Sequence, residues 1–277
     1  MSKILKKWMV QVVIILFLTG CSSNQANAFL TTKQVSLLPK QEIPANFFPR
    51  ELKVVSIGDS LTQGIGDSTN SGGYIPHLTQ SFNSLKEIKS TEFINLGKKG
   101  LKTSGLLKQL EDSSVREEIE MADIVMITIG GNDLMSVIKR NFTSLTLELF
   151  STESSLYQER LTTVLTKIRH INQDAGIVLI GIYNPFLFLF SKVPETESIL
   201  KDWNAVSERT VINSVENAFF VNIADLFMNI EEKLLSDDFF HPNDLGYQRI
   251  SERVFEFLSK GNRFETLIEN SLIKNEE

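Results

Sequence analysis

Apolar residues from position 52 onward fall into short continuous runs separated by longer amphipathic stretches. The runs are rich in β-branched residues and predict strands buried on both faces, because a strand with one face in water alternates apolar and polar residues. They cover residues 52–57, 92–96, 124–129, 177–182 and 219–223. Helices are predicted near residues 74–86, 103–118, 155–172, 196–217 and 245–260. This alternation predicts an α/β fold with helices on both faces of a five-stranded parallel sheet.

Two segments fit this pattern less well. Residues 134–153 show the least regular periodicity, and we interpret them as an inserted lid or an additional helix. The polar segment after Lys260 is expected to fray beyond one last helical turn, as chain ends commonly do.

The N-terminus has the pattern of a secretion signal: lysines at positions 3, 6 and 7, then an apolar run from Trp8 to Leu18. This run is too short to cross a bilayer, which takes about 20 apolar residues. It ends in Leu18-Thr19-Gly20-Cys21, which resembles the lipobox of bacterial lipoproteins, and the resemblance implies a lipid on Cys21. A short uncleaved anchor or an incidental buried cysteine is the alternative.

These features divide the chain into three predicted parts. Residues 1–20 are a lipoprotein signal peptide, residues 21–50 are the lipidated cysteine with a polar tether, and residues 51–277 are the folded domain. The lipid would attach the protein to the outer face of the bacterial membrane.

Composition excludes several classes of function. Lys and Arg total 28 against 34 Asp and Glu, giving net charge −6, which argues against binding nucleic acid through phosphate neutralisation. One cysteine rules out an internal disulfide framework, and three histidines leave little from which to build a metal site. We therefore expect chemistry without a metal or another cofactor, and no obligate protein partner is evident.

A serine directly follows the first predicted strand, in Gly58-Asp59-Ser60. In an open parallel sheet, ligands bind beyond the carboxyl ends of the strands, so this hydroxyl is a candidate nucleophile. Thr62 stands where the Gly-x-Ser-x-Gly elbow has glycine. Taken alone, Asp-Ser at a strand end is more often a helix cap.

The loops after the second and third strands supply candidate hydrogen-bond donors. Gly97 and Gly100 allow the backbone to present an N–H group to a ligand, and Asn132 offers a side-chain amide. Such groups stabilise the oxyanion of acyl transfer.

Near the C-terminus, Asp238 stands three residues before His241. One turn would let the carboxylate fix the tautomer of the imidazole, which shuttles protons at neutral pH. A loop histidine beside the cap of the last helix is an equally good interpretation of this pair by itself.

Together these motifs resemble, in the family's order, the four sequence blocks of the SGNH, or GDSL, hydrolases. The matching residues are Gly58-Asp59-Ser60, Asn95-x-Gly97-x-x-Gly100, Gly130-x-Asn132-Asp133 and Asp238-x-x-His241. The resemblance implies a three-layer α/β/α sandwich of the flavodoxin-like kind and ester hydrolysis. It implies that Ser60 is the nucleophile, His241 the base and Asp238 its orienting acid. The Ser60 N–H, Gly97 and Asn132 would then form the oxyanion hole.

With its signal, the chain resembles secreted Gram-positive lipase/acylhydrolase-like lipoproteins. We therefore expect a serine hydrolase of lipid or short-chain acyl esters outside the membrane. The apolar run after the fourth strand, with Phe186, Phe188 and Phe190, either lines an acyl pocket or packs in the core. A deacetylase of cell-wall or surface polysaccharides is the alternative enzyme, and a non-catalytic lipoprotein that binds a ligand is the alternative of another class.

Overall fold

A computed structural model describes residues 49–141, 144, 146–184, 195–228 and 233–273. Its five-stranded sheet is parallel throughout, with the strand order β2-β1-β3-β4-β5. The strands are β1 (Arg50–Gly58), β2 (Ile88–Gly97), β3 (Ile124–Thr128), β4 (Gly176–Ile180) and β5 (Ala218–Val221). The predicted five-stranded parallel α/β sheet is confirmed.

Helices cover both faces of this sheet. They are α1 (Ser60–Gln63), α2 (Ile75–Asn83), α3 (Thr103–Gln109), α4 (Ser113–Glu120), α5 (Gly131–Arg140), α6 (Leu147–Ile171), α7 (Glu195–Ser214), α8 (Asp244–Ser259) and α9 (Arg263–Ile273). A 3₁₀ turn covers Ala224–Phe227. No helix in the described ranges is long and apolar enough to cross a membrane.

The core has two halves, one on each face of the sheet. Successive strand residues point to opposite faces, so Val125 and Ile127 pack with α3 to α7, whereas Ile124 and Met126 pack with α2, α8 and α9. All five residues of β3 are buried. The near-continuous apolar runs of the sequence follow from this double coverage.

The predicted helix near residues 103–118 is two helices in the structure. Asp112 begins the second one, because its carboxylate accepts a hydrogen bond from Ser114 N at 3.0 Å. Residues 134–153 contain the end of α5 and the start of α6, so the additional helix is present among the described part of this segment.

The expectation that the chain frays after Lys260 is wrong, because α9 runs from Arg263 to Ile273. Its buried residues Phe264, Leu267 and Ile268 follow helical spacing and join the core beside α2 and α8. The predicted signal peptide, the tether up to residue 48 and Cys21 lie outside the described residues.

Candidate active site

Ser60 begins helix α1 at the carboxyl end of β1 and is 4% exposed. Asp59 caps this helix by accepting from Leu61 N at 3.1 Å. Gly58 precedes the cap with φ 134°, and a Cβ there would lie 2.0 Å from Thr128 O in β3. Glycine is therefore required for the close approach that brings α1 to the end of the sheet. Strand β1 lies between β2 and β3, so the strand order reverses at β1. Open α/β sheets bind ligands at the carboxyl ends of the strands where this reversal occurs.

Asp238 and His241 lie in one turn that precedes α8. Asp238 Oδ1 accepts hydrogen bonds from the backbone N–H groups of Phe240 and His241 and from the Ser236 hydroxyl, at 2.8–2.9 Å. Phe239 has φ 55°, a left-handed conformation that is unusual for an aromatic residue. The predicted one-turn return of the carboxylate to its histidine is present.

The structure brings Ser60, His241 and Asp238 into one hydrogen-bonded line. Ser60 Oγ lies 2.9 Å from His241 Nε2, and His241 Nδ1 lies 2.5 Å from Asp238 Oδ2. The carboxylate accepts the proton on Nδ1, so Nε2 is left as the acceptor for the serine hydroxyl. His241 is 6% exposed. This geometry allows the imidazole to take the serine proton.

The Asp238 carboxylate is held in its charged form. Partial burial opposes ionisation, but hydrogen bonds from the His241 backbone and ring, the Phe240 backbone and Ser236 outweigh it and lower the pKa of Asp238 well below its usual range. A negative charge at this position would stabilise an imidazolium if His241 took up a proton.

Of the three residues predicted to supply oxyanion donors, Ser60 and Asn132 line one cleft. Asn132 Nδ2 donates to Leu101 O at 3.0 Å, which ties Asn132 to the loop after β2. Neither Gly97 nor Gly100 is among the residues that line this cleft. The Gly97 N–H already donates to Asn95 Oδ1 at 3.0 Å. A Cβ on Gly97 would lie 2.3 Å from Gln63 N, so this glycine allows β2 to pack against α1. The predicted oxyanion role of Gly97 is not supported by the structure.

Gly100 is the glycine of that loop with a free N–H. Within the described parts of the chain, no hydrogen bond from this N–H is found. The residue has φ 77°, and a Cβ would meet nothing within 4 Å. Gly100 also precedes Leu101, the partner of Asn132. The spacing of the motif includes both glycines and does not tell them apart.

A cluster of charged and polar residues joins the two donor loops, and Asp133 is the one member that belongs to a sequence motif. Asp133, next to Asn132, is 1% exposed and accepts from Thr103 N at 3.0 Å and Thr103 Oγ1 at 2.6 Å. Arg160 of α6 donates to Thr103 Oγ1 at 2.8 Å and to Asp133 at 3.2 Å. Glu153 accepts from the same guanidinium at 2.7 Å. Arg160 has no motif around it, so only the fold reveals that it supports these loops.

A buried hydrogen-bonded chain lies beneath Ser60. Asp59 accepts from Thr128 Oγ1 at 2.9 Å, Thr128 Oγ1 lies 2.8 Å from Thr62 Oγ1, and that hydroxyl lies 3.0 Å from Tyr74 OH. Burial raises the pKa of Asp59 to about 7, although the hydrogen bonds from Thr128 and Leu61 oppose the rise. Asp59 therefore takes up a proton more readily than Asp238, whose pKa is lowered.

The cleft beside Ser60 has mainly apolar walls and a volume of about 520 Å³, including the part that opens to solvent. Its apolar lining consists of Leu61, Ile129, Leu134, Met135, Ile180, Ile182, Tyr183 and Phe240. Gly131 also lines it, and a Cβ there would have one neighbour within 4 Å, Ile182 Cγ2 at 3.8 Å. Phe186, Phe188 and Phe190, predicted as a possible acyl pocket, lie outside the described residues.

The loop after α1 contacts the start of α8 and Pro242, which directly follow His241. Tyr247 OH donates to Ile65 O at 2.7 Å, and Ser68 donates to Asp244 through its N–H and its hydroxyl. Gly66 lies so close that a Cβ would stand 2.3 Å from Pro242 O. These contacts keep the serine and histidine segments together.

Among the described residues, no group of three or more His, Cys, Asp or Glu side chains is arranged to hold a metal ion.

Comparison with known sequences identifies relatives over most of the chain. The profile of the GDSL-like Lipase/Acylhydrolase family matches residues 56–249. The protein YpmR of Bacillus subtilis is 33% identical over 258 residues, 92% of this chain and 97% of YpmR. The spore germination lipase LipC of Bacillus licheniformis is 29% identical over 213 residues, 73% of this chain and 94% of LipC.

Solved structures have the same fold. The lipase Lip_vut3 from a goat rumen metagenome gives a TM-score of 0.67 at 25% identity, over 76% of this chain and 99% of the lipase. A catalytic mutant of the acetylxylan esterase Axe2 from Geobacillus stearothermophilus gives 0.57 at 16% identity, over 75% and 94%. At 16% identity, the similarity to the acetylxylan esterase shows only that the two proteins share a fold.

Proposed function

The chain belongs to the GDSL-like lipase/acylhydrolase family of carboxylic ester hydrolases, and from this premise we propose that Ser60, His241 and Asp238 hydrolyse acyl esters through an acyl-enzyme. The observation that carries the proposal is the hydrogen-bonded line from Ser60 Oγ through the imidazole to the Asp238 carboxylate. This is the arrangement of a nucleophile, a base and a group that orients the base.

The reaction proceeds in two halves. Ser60 Oγ attacks the ester carbonyl while His241 Nε2 takes its proton, and the imidazolium then returns that proton to the departing alcohol. The Ser60 N–H, the Asn132 amide and the Gly100 N–H, in place of Gly97, bind the oxyanion. Water, deprotonated by the same imidazole, attacks the acyl-enzyme and releases the acid and Ser60. No cofactor enters these steps.

Acyl esters of lipids or of short-chain acids are the proposed substrates. The apolar cleft beside Ser60 supports this class, since it offers buried hydrocarbon contacts to an acyl chain. A polysaccharide deacetylase would need room for an acetyl group only. The acetylxylan esterase in the comparison shares the fold, and its substrate does not extend to this chain.

The triad is tested with Ser60→Ala, His241→Ala and Asp238→Asn in the full-length protein. On p-nitrophenyl butyrate we expect each variant to lose at least about 100-fold in kcat. Folding is monitored by thermal melting, and a fluorophosphonate probe should label the wild type at Ser60 and leave Ser60→Ala unlabelled. Full activity of Ser60→Ala would remove the proposal, and an unlabelled wild type would favour the non-catalytic lipoprotein.

The substrate class is tested with p-nitrophenyl esters from acetate to palmitate and with O-acetylated xylan. A kcat/KM that rises beyond acetate supports acyl esters. A preference for acetate together with release of acetate from the polysaccharide supports the deacetylase.

We also propose that the mature protein is held at the outer face of the membrane by a lipid on Cys21. The lipobox-like segment Leu18-Thr19-Gly20-Cys21 supports this location. In cells fed radiolabelled palmitate, the wild-type protein should carry label in the membrane fraction and Cys21→Ala should carry none. Equal labelling of both proteins contradicts the anchor.

A further inference from the structure

Tyr183 follows β4 and reaches the turn that carries His241. The residue is 6% exposed, and its ring stacks on Phe227 with the centroids 4.0 Å apart and the planes inclined by 22°. The hydroxyl donates to the carbonyl oxygen of Phe240 at 2.6 Å. Burial raises the pKa of Tyr183 well above its ordinary value, so the hydroxyl keeps the proton that it donates.

The Phe240 carbonyl belongs to the peptide unit that leads into His241. The N–H of the same unit, that of His241, donates to Asp238 Oδ1 at 2.8 Å. A peptide unit is planar, so hydrogen bonds to its C=O and its N–H together fix the orientation of the plane. The His241 backbone, and with it the direction of the imidazole, is constrained by this pair of bonds.

Tyr183 connects this turn to the sheet. The bond from Ser236 N to His241 O at 2.8 Å and the bonds to Asp238 Oδ1 all lie within residues 236–241. Tyr183, in contrast, extends from the carboxyl end of β4, the same edge of the sheet at which Ser60 begins α1. Phe239 in this turn has a left-handed backbone conformation. Such a conformation persists only where the surrounding structure stabilises it.

We propose that Tyr183 is a positioning residue for the triad, a role that rests on the proposed function of Ser60 and His241. Its hydroxyl holds the Phe240–His241 peptide unit in the position that places His241 Nε2 opposite Ser60 Oγ. Tyr183 acts through this peptide unit, and its hydroxyl takes no part in proton transfer. The sensitivity of catalysis to small displacements makes such a support measurable, since 1 Å of misplacement costs about 100-fold in rate.

The test is Tyr183→Phe in the full-length protein, because this change removes the hydroxyl and keeps the ring stacked on Phe227. Active sites are titrated with a fluorophosphonate so that kcat on p-nitrophenyl butyrate is expressed per competent site. We expect kcat to fall roughly tenfold or more while KM stays within about twofold. The rate constant for labelling of Ser60 should fall in parallel, because activation of the nucleophile is what the hydroxyl supports.

Tyr157→Phe is the matched control. Tyr157 is also buried, stacks on Trp203 at 5.0 Å, and has its hydroxyl 2.8 Å from Ser207 Oγ in the helix layer. The kcat per site of Tyr157→Phe should stay within about twofold of wild type. The free energy of unfolding should fall in Tyr157→Phe and in Tyr183→Phe, because each loses a buried hydrogen bond. A purely structural role for Tyr183 predicts that the two variants behave alike.

Two results would overturn the positioning role: wild-type kcat per titrated site in Tyr183→Phe, or an equal loss in both tyrosine variants. Ser60→Ala is measured alongside. If Ser60→Ala is inactive and Tyr183→Phe is fully active, only the positioning role fails. If Ser60→Ala retains activity, the proposed function itself fails.

Discussion

Ser60 Oγ and His241 Nε2 lie 2.9 Å apart, although the two residues are separated by 181 positions in the sequence. The sheet brings Ser60 to its edge, and the loop after α1 contacts Pro242, the residue next to His241. Gly66 packs tightly against this proline, since a Cβ on Gly66 would lie 2.3 Å from Pro242 O.

Gly66→Ala should therefore impair both stability and catalysis. Gly66 has φ 96°, where a side chain costs roughly 1–2 kcal/mol, and the added methyl would also push Pro242 and the adjoining His241 away from Ser60. Gly261→Ala is the control, because Gly261 has φ 64° but a Cβ there meets nothing within 4 Å. We expect both variants to melt at lower temperature and Gly66→Ala alone to lose kcat. Equal kcat values would mean that the close contact does not set the distance.

Asn132→Ala should lower kcat by about 100-fold or more, because loss of one oxyanion donor typically costs about 2.7–4 kcal/mol in the transition state. KM on p-nitrophenyl butyrate should change little, since the donor binds charge that develops during the reaction. Asn141→Ala removes an amide from the other end of α5, where Nδ2 donates to Val137 O, and should retain kcat. A loss under threefold in Asn132→Ala would exclude an oxyanion role for its amide.

The fold and the main residues of the site follow from sequence because they depend on local patterns. Runs such as residues 124–129 contain only residues that suit burial on both faces, and Asp238 reaches His241 within one turn. Spacing does not distinguish Gly97 from Gly100 as an oxyanion donor, because it cannot reveal which N–H of a loop is already bonded. The partner of the Gly97 N–H, Asn95 Oδ1, is a side chain whose direction depends on the packing of β2 against α1.

Long-range relationships account for the other differences. Arg160 supports Asp133 and Thr103 from a helix that is distant in sequence, and Tyr183 meets Phe240 across 57 positions. Neither residue belongs to a recognisable motif. The sequence does not indicate the final helix, because the segment after Lys260 is polar overall. Its three buried apolar residues stand out only once the helices that they pack against are known.

Gly131→Ala should narrow the cleft at a defined point. The new methyl group would stand 3.8 Å from Ile182 Cγ2 without a clash, and it would occupy space beside Ser60 that the wild type leaves open. We expect the ratio of kcat/KM for p-nitrophenyl octanoate to that for acetate to fall at least about fivefold, since one methylene in an apolar pocket changes rates by roughly 10–200-fold. Gly261→Ala should leave the ratio at its wild-type value. An unchanged ratio in Gly131→Ala would place the acyl chain elsewhere.

Asp59→Asn should change how stability depends on pH. The folded-state pKa of Asp59, about 7, lies above the unfolded value near 4, so the folded protein holds a proton that the unfolded chain releases between these values. The contribution of Asp59 to the free energy of unfolding is fully present below about pH 4 and is lost as the pH rises to about 7. Asparagine does not titrate and can still accept from Leu61 N and Thr128 Oγ1.

The free energy of unfolding of Asp59→Asn, measured with urea from pH 4.5 to 7.5, should therefore rise relative to wild type as the pH increases. Asp112→Asn is the control, because Asp112 also caps a helix but has a lowered pKa, supported by hydrogen bonds from Ser114. The contribution of Asp112 to the free energy of unfolding is present above about pH 4 and is lost only as the pH falls further. The difference in free energy of unfolding between Asp112→Asn and wild type should therefore stay constant from pH 4.5 to 7.5. Parallel pH profiles of wild type and Asp59→Asn would show that Asp59 remains ionised beneath Ser60.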